Sequence, residues 1–250
     1  YNISNYVGAN LTINPAALSM VFTANSTSGV YGNNPTGLSG SFTATGLVNG
    51  DTLASLGIAS WNTNATATSG VGRYAVSGTL SNPNYTITAT QAASNASAYT
   101  VTPRTITVMA NAMSSTYGSV IPTLTYTVGG LGLVNGDSLN GALATTGTAS
   151  SNAGTYSISL GTLGNSNYAI SSFTGSNLTI NPAALTVTAN NASKTYDGVA
   201  YSGGNGVSYS GLVGGESASV LGGSLSYGGT SQGATNAGTG YTIVPSGLTS

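Results

Sequence analysis

The chain has 250 residues, 40% of them hydrophobic and 3% charged, with a net charge of −1 and neither cysteine nor histidine. Three basic residues, Arg73, Arg104 and Lys194, are too few to neutralise a run of phosphates, which argues against nucleic acid and anionic lipid as partners. Thiolate and imidazole metal sites and the usual general base are absent, and no apolar run nears the roughly 18 residues of a membrane helix.

In chain order, the first fifteen residues carry Tyr1, Ile3, Tyr6, Leu11 and Ile13 and end on Leu11-Thr-Ile-Asn-Pro15. Leu18, Met20 and Phe22 then alternate with other residues, as a half-buried strand requires. A Tyr31-Gly32 turn follows, then Gly46-Leu-Val-Asn-Gly-Asp51, whose Asn-Gly pair suits a tight turn. A short helical turn is expected after Asp51, and at the same slot after Asp137 and Glu216, where a carboxylate precedes spaced leucines. The lone tryptophan, Trp61, comes next, then strands at Gly72-Arg-Tyr74, Tyr85-Thr-Ile87 and Tyr99-Thr-Val-Thr-Pro103.

The series then starts again. Ile106, Val108 and Ala110 alternate; Tyr117-Gly118, Gly132-Leu-Val-Asn-Gly-Asp137, Gly154-Thr-Tyr156 and Leu178-Thr-Ile-Asn-Pro182 follow in the same order. A third pass runs through Leu185, Val187 and Ala189, then Tyr196-Asp197-Gly198, Gly211-Leu-Val-Gly-Gly-Glu216 and Gly240-Tyr241, and stops at Ser250. From the turn tyrosine to the glycine opening the next motif is 15 positions in all three passes. Such self-similarity defines tandem units, here of about 80 residues.

The units read as 16–102, 103–181 and 182–250, the last without a closing strand. Residues 1–15 match residues 168–182, Tyr1-Asn-Ile3 against Tyr168-Ala-Ile170 and Leu11-Thr-Ile-Asn-Pro15 against Leu178-Thr-Ile-Asn-Pro182. They therefore read as the closing strands of a preceding or neighbouring repeat, with Tyr1, Ile3, Tyr6, Leu11 and Ile13 as the expected inter-subunit or inter-repeat strand. Partners are then either copies of the same chain, joined head to tail by β-strand addition, or flanking repeats of one giant chain.

At each proline the apolar set changes parity, from Leu178 and Ile180 to Leu185 and Val187 in the clearest case. A strand keeps one face for one core, so the change implies that the chain passes from one core to the next. The expected fold class is all-β: a tandem array of about three Ig-like β-sandwich repeats, or a related small β-fold, forming a semi-rigid rod.

Candidate chemistry is sparse. Asp51, Asp137 and Glu216 occupy one slot in three units and are expected to fix their loops by accepting backbone N–H bonds. Tyr31, Gly32, Tyr117, Gly118, Tyr196, Asp197 and Gly198 read as structural turns, each tyrosine closing a turn over its core. Trp61, beside Asn62 and Asn64, is the one candidate ligand contact, on a glycan, against the plainer reading of a packed tryptophan. No catalytic residue, metal site or cofactor is expected, and the chain does not read as an enzyme.

The motifs Leu-Thr-Ile-Asn-Pro-Ala-Ala-Leu-Thr-Val-Thr-Ala (178–189), Lys-Thr-Tyr-Asp-Gly (194–198) and Gly-Leu-Val-Asn-Gly-Asp (46–51 and 132–137) resemble the MBG and YDG repeats of filamentous-haemagglutinin-like bacterial surface adhesins. The resemblance implies export to the bacterial surface or medium. It further implies repeat arrays as stalks or fibres and roles in adhesion or matrix, and it carries over no catalytic residue. The alternative to a fibre segment is an adhesin module that grips glycans, matrix or other surface proteins.

Overall fold

A computed structural model describes all residues, Tyr1–Ser250. The chain is all-β with tandem repeats. It gathers into two compact units, one of residues Tyr1–Val108, Val128–Gly141 and Leu163–Phe173, the other of Met109–Thr127, Ala142–Thr162 and Thr174–Ser250.

In the first unit, strands Ala16–Ala24 (β1), Thr27–Val30 (β2), Gly40–Thr45 (β3), Ser60–Thr63 (β4), Gly72–Tyr74 (β5), Val76–Thr79 (β6), Tyr85–Gln91 (β7) and Tyr99–Thr102 (β8) follow one another. They form sheets ordered β3-β1-β7, β2-β8-β5 and β4-β6. β1 is antiparallel to β3 and parallel to β7, while β8 is parallel to β2 and antiparallel to β5. The two three-stranded sheets are thus mixed, and β4-β6 is antiparallel. Leu18, Met20 and Phe22, the alternating face of β1, are buried with Leu56 and Tyr85 in one core.

Asn95 lets the chain change sheets between β1 and β2. Its amide Oδ1 accepts the Ala24 N–H at 2.7 Å, and its Nδ2 donates to the Phe22 carbonyl at 3.0 Å and to Gln91. Backbone groups leaving a ladder inside a core need partners, and this side chain supplies them. It sits on a short 3-10 turn, Ala93–Ser97.

Beyond Pro103 come Arg104–Ala110 (β9), Met113–Thr116 (β10), Tyr126–Gly130 (β11), Ala144–Thr145 (β12), Gly154–Ser159 (β13), Tyr168–Thr174 (β14) and Ser176–Asn181 (β15). Sheet β11-β9-β14 falls mainly in the first unit, and sheet β10-β15-β13-β12 lies in the second. β15 is parallel to β10 and antiparallel to β13, the arrangement β8 has in repeat one. Leu178 and Ile180 on β15 are buried, as are Tyr99 and Val101 on β8 and Ile106 and Val108 on β9.

The remaining strands, Thr186–Ala189 (β16), Val207–Ser210 (β17), Gly222–Gly228 (β18) and Val244–Thr249 (β19), form two-stranded sheets β16-β17 and β18-β19. Leu185 and Val187, at the positions of Leu18 and Met20 in repeat one, are only half-buried, and the buried hydrophobic core stops at Ile180. With fewer paired strands this repeat has less surface to close over its apolar face.

Residues 1–15 join no strand of the chain, and Tyr1, Ile3, Tyr6, Leu11 and Ile13 are all exposed. Of the helical turns expected after the three carboxylates, two form as 3-10 turns, Leu53–Leu56 and Ala218–Val220. None forms after Asp137, where the chain instead bridges Asn140 to Gly164.

Candidate functional site

The Gly-Leu-Val-Asn-Gly-Asp motif folds as a tight turn that aims its carboxylate. The Asp51 N–H donates to the Val48 carbonyl at 3.0 Å, and Asn49 and Gly50 have φ of 58° and 77°. The second motif repeats this, with Asp137 N–H to Val134 at 3.0 Å and φ of 57° and 76° at Asn135 and Gly136. Two successive positive φ values define a type I′ turn, which asparagine and glycine tolerate best.

Each carboxylate accepts tyrosine hydroxyls, which corrects the expectation of backbone donors. Tyr85, opening β7 of the same repeat, donates to Asp51 Oδ2 at 2.6 Å, and Tyr168, opening β14, donates to Asp137 Oδ2 at 2.8 Å. Their hydroxyls also accept the N–H of Val48 and Val134, at 3.2 and 3.0 Å. A charged acceptor raises the value of such bonds above that of neutral pairs.

A second tyrosine arrives from the preceding repeat. Tyr31 of repeat one donates to Asp137 Oδ2 of repeat two at 2.8 Å, with its ring edge-on to Tyr168 at 5.5 Å. Tyr117 of repeat two donates to Glu216 Oε1 of repeat three at 2.5 Å. The Tyr-Gly turns therefore close onto the next repeat's loop, where the sequence reading had each close over its own core. Both joints lie inside a compact unit, the first in unit one and the second in unit two.

The glycine after the tyrosine is part of the fit. A Cβ on Gly32 (φ +89°) would stand 2.5 Å from Val134 Cγ2, and one on Gly118 (φ +80°) would stand 2.7 Å from Val213. Repeat two's loop valine thus lies directly over repeat one's turn glycine, and repeat three's over repeat two's. Arg104 adds a clamp at the first joint, its guanidinium donating to the carbonyls of Leu131, Gly132 and Tyr31.

The three carboxylates differ in what they hold. Asp137 has tyrosines from both repeats, Asp51 only its own Tyr85, and Glu216 only Tyr117 of the preceding repeat. Bonding to the Asp51 and Glu216 carboxylates raises the Tyr85 and Tyr117 hydroxyls above the usual tyrosine range. Burial, with the Asp137 bond adding to it, does the same to Tyr168.

Tyr196, Asp197 and Gly198 are not in such a joint. Tyr196 is 69% exposed, against 3% for Tyr31, and Gly198 faces open space. Asp197 pairs with Lys194 at 2.9 Å, which with the Val199 N–H holds its carboxyl below the usual range. Trp61 packs into the first core, edge-on to Phe22 at 6.0 Å and opposite Gly78 on the neighbouring strand. Its ring is a wall of that core.

The sequence offered one unused signal for the joints. In a chain with four acidic and three basic residues, a carboxylate recurring in one slot has to be answered by neutral donors. The one tyrosine recurring per repeat on a turn was the available candidate.

These features define a tandem β-repeat protein whose units interlock through a hydroxyl–carboxylate joint. The MBG domain (YGX type) family matches the chain three times, at residues 20–94, 106–179 and 185–250, and the chain belongs to that family. Comparison with curated proteins and with solved structures found no match. Membership suggests an extracellular surface or adhesin-type module. No helix is long and apolar enough to cross a membrane.

Proposed function

We propose that the chain is a structural segment of an extracellular bacterial fibre or surface stalk, lengthened end to end through β-strand completion. One observation carries this reading. In repeats one and two the closing strand lies inside its sheet, between the strand before the Tyr-Gly turn and the glycine-led tyrosine strand. In repeat three the corresponding segments, 192–195 and 240–243, form no strand and border a cavity of ≈ 490 Å³. Of these two backbones only Thr242 is bonded, to Thr230 and Ser231, and the unpaired groups that remain on both sides favour an extended segment between them.

Residues 8–15 match the strand that fills this place in repeat two at every position but one, Ala9 for Ser176, with Leu11 and Ile13 standing for the buried Leu178 and Ile180. Tyr1 stands for Tyr168, so the same segment would bring the own-repeat hydroxyl that Glu216 does not have. The strand comes from a continuing chain or from a second copy, and either source lengthens the array along a line.

The test uses the chain without residues 1–15 and a peptide of those residues. The peptide should saturate the truncated chain and shift the amides of 192–196 and 240–243, and the truncated chain should stay monomeric where the full chain associates. Normal assembly of the truncated chain would remove exchange between copies. A peptide that leaves those amides unmoved would remove strand completion itself.

A further inference from the structure

We propose that the loop Gly46–Asp51 is a docking site for the Tyr-Gly turn of another repeat, and that it discriminates against the Tyr-Asp-Gly turn at 196–198. Its sequence is identical to 132–137, the loop that holds Tyr31-Gly32. Its Asn-Gly turn has the same backbone, with matching φ values at the pair and the same 3.0 Å turn bond, while the opening glycine differs, with φ of 106° at Gly46 and 69° at Gly132. The own-repeat tyrosine is in place, Tyr85 on Asp51 Oδ2 as Tyr168 is on Asp137 Oδ2. The surface is therefore preorganised, which lowers the cost of binding.

What differs is cover. Val48 is 50% exposed, whereas its counterparts Val134 and Val213 lie against Gly32 and Gly118. The same contact occurs twice in this chain, and each time the occupant is a tyrosine hydroxyl followed at once by a residue without Cβ. The partner of loop 46–51 is thus a Tyr-Gly turn with a positive φ at the glycine.

Tyr196 does not present that shape. Counting from the tyrosine, Asp197 occupies the position of Gly32 and Gly118, and the positive φ falls one residue later, at Gly198 (72°). Docked in the observed way, the Asp197 side chain would meet Val48 and its charge would face Asp51. Specificity of this kind comes from a clash and a like charge built against the wrong partner. A head-to-tail pair of identical copies would have the poorer joint, and a Tyr-Gly repeat ahead of repeat one the better. This inference does not rest on strand completion, and its test reads a different surface.

The probe is a cyclised peptide of the turn sequence Ser115-Thr-Tyr-Gly-Ser119, titrated into the isotopically labelled full chain and followed by amide shifts. Saturable shifts confined to residues 46–51 and to Tyr85 are expected. Peptides with alanine for the glycine, phenylalanine for the tyrosine, or Tyr-Asp-Gly in the turn should each bind at least tenfold more weakly. Because only the peptides change, folding of the protein is not at issue. Absence of saturable shifts, shifts centred elsewhere, or equal binding by the alanine or Tyr-Asp-Gly peptide would overturn the proposal.

Discussion

Tyr31 and Asp137, 106 positions apart and in successive repeats, are joined by a 2.8 Å hydrogen bond from hydroxyl to carboxylate. A bond to a charged acceptor contributes about 1.5–3 kcal/mol when one partner is removed from a buried site. Tyr31→Phe should therefore destabilise the chain by about 2 kcal/mol, seen as a lower thermal midpoint. Tyr196→Phe, at an exposed hydroxyl, should change it by less than about 0.5 kcal/mol. Equal effects of the two would contradict the joint.

The glycine of the turn can be tested separately from its backbone conformation. Gly50 (φ +77°) has open space around its missing Cβ, while Gly32 (φ +89°) has Val134 over it. Gly50→Ala should cost only the conformational penalty of about 1–2 kcal/mol. Gly32→Ala should cost that plus the displacement of Val134, another 1–3 kcal/mol or so. Val134→Ala should recover part of the difference in a double-mutant cycle, and strict additivity would count against the contact.

Alkali should weaken the hydroxyl–carboxylate bonds, those within a repeat as well as the Tyr117–Glu216 bond between repeats. The folded-state values of Tyr85, Tyr117 and Tyr168 lie above the usual one, so the folded chain keeps these protons longer than the unfolded chain does. Their contribution is fully present below the unfolded value of about 10 and is lost as pH rises through the raised folded values. Near-ultraviolet titration should show late-ionising tyrosines that disappear in Tyr85→Phe and Tyr117→Phe. An unchanged titration in both variants would rule out the hydroxyl–carboxylate bonds.

Trp61 separates a packing role from a ligand role. Its ring closes the core around Phe22, so Trp61→Ala should cost about 3 kcal/mol, as truncation of packed aromatic residues does. A stability loss below about 1 kcal/mol together with loss of a glycan-array signal would return Trp61 to the role of ligand contact.

The all-β tandem character was legible because it rests on local signals. Leu18, Met20 and Phe22 alternate, and the parity changes at Pro103, between Val101 and Ile106, where the chain leaves sheet β2-β8-β5 for sheet β11-β9-β14. Pairings between distant segments were not legible. The parallel registers of Ala16 with Tyr85 and of Thr27 with Tyr99 depend on how sheets meet, and nothing in either segment alone encodes its partner. Asn95 illustrates the same limit: within the sequence it is one asparagine among many, and only the sheet crossing between Ala24 and Thr27 makes it a buried bracket. The Tyr31–Asp137 bond was hidden because both motifs recur at fixed spacing within each repeat, which suggested that each served its own.

Because Val134 covers Gly32, and Val213 covers Gly118, a change in one repeat must be answered in its successor. Evolution by duplication should then trade segments cut inside a repeat, keeping each turn with the loop it touches, and melting should advance in steps offset from the sequence period. Selection on this array acts on neighbours as pairs.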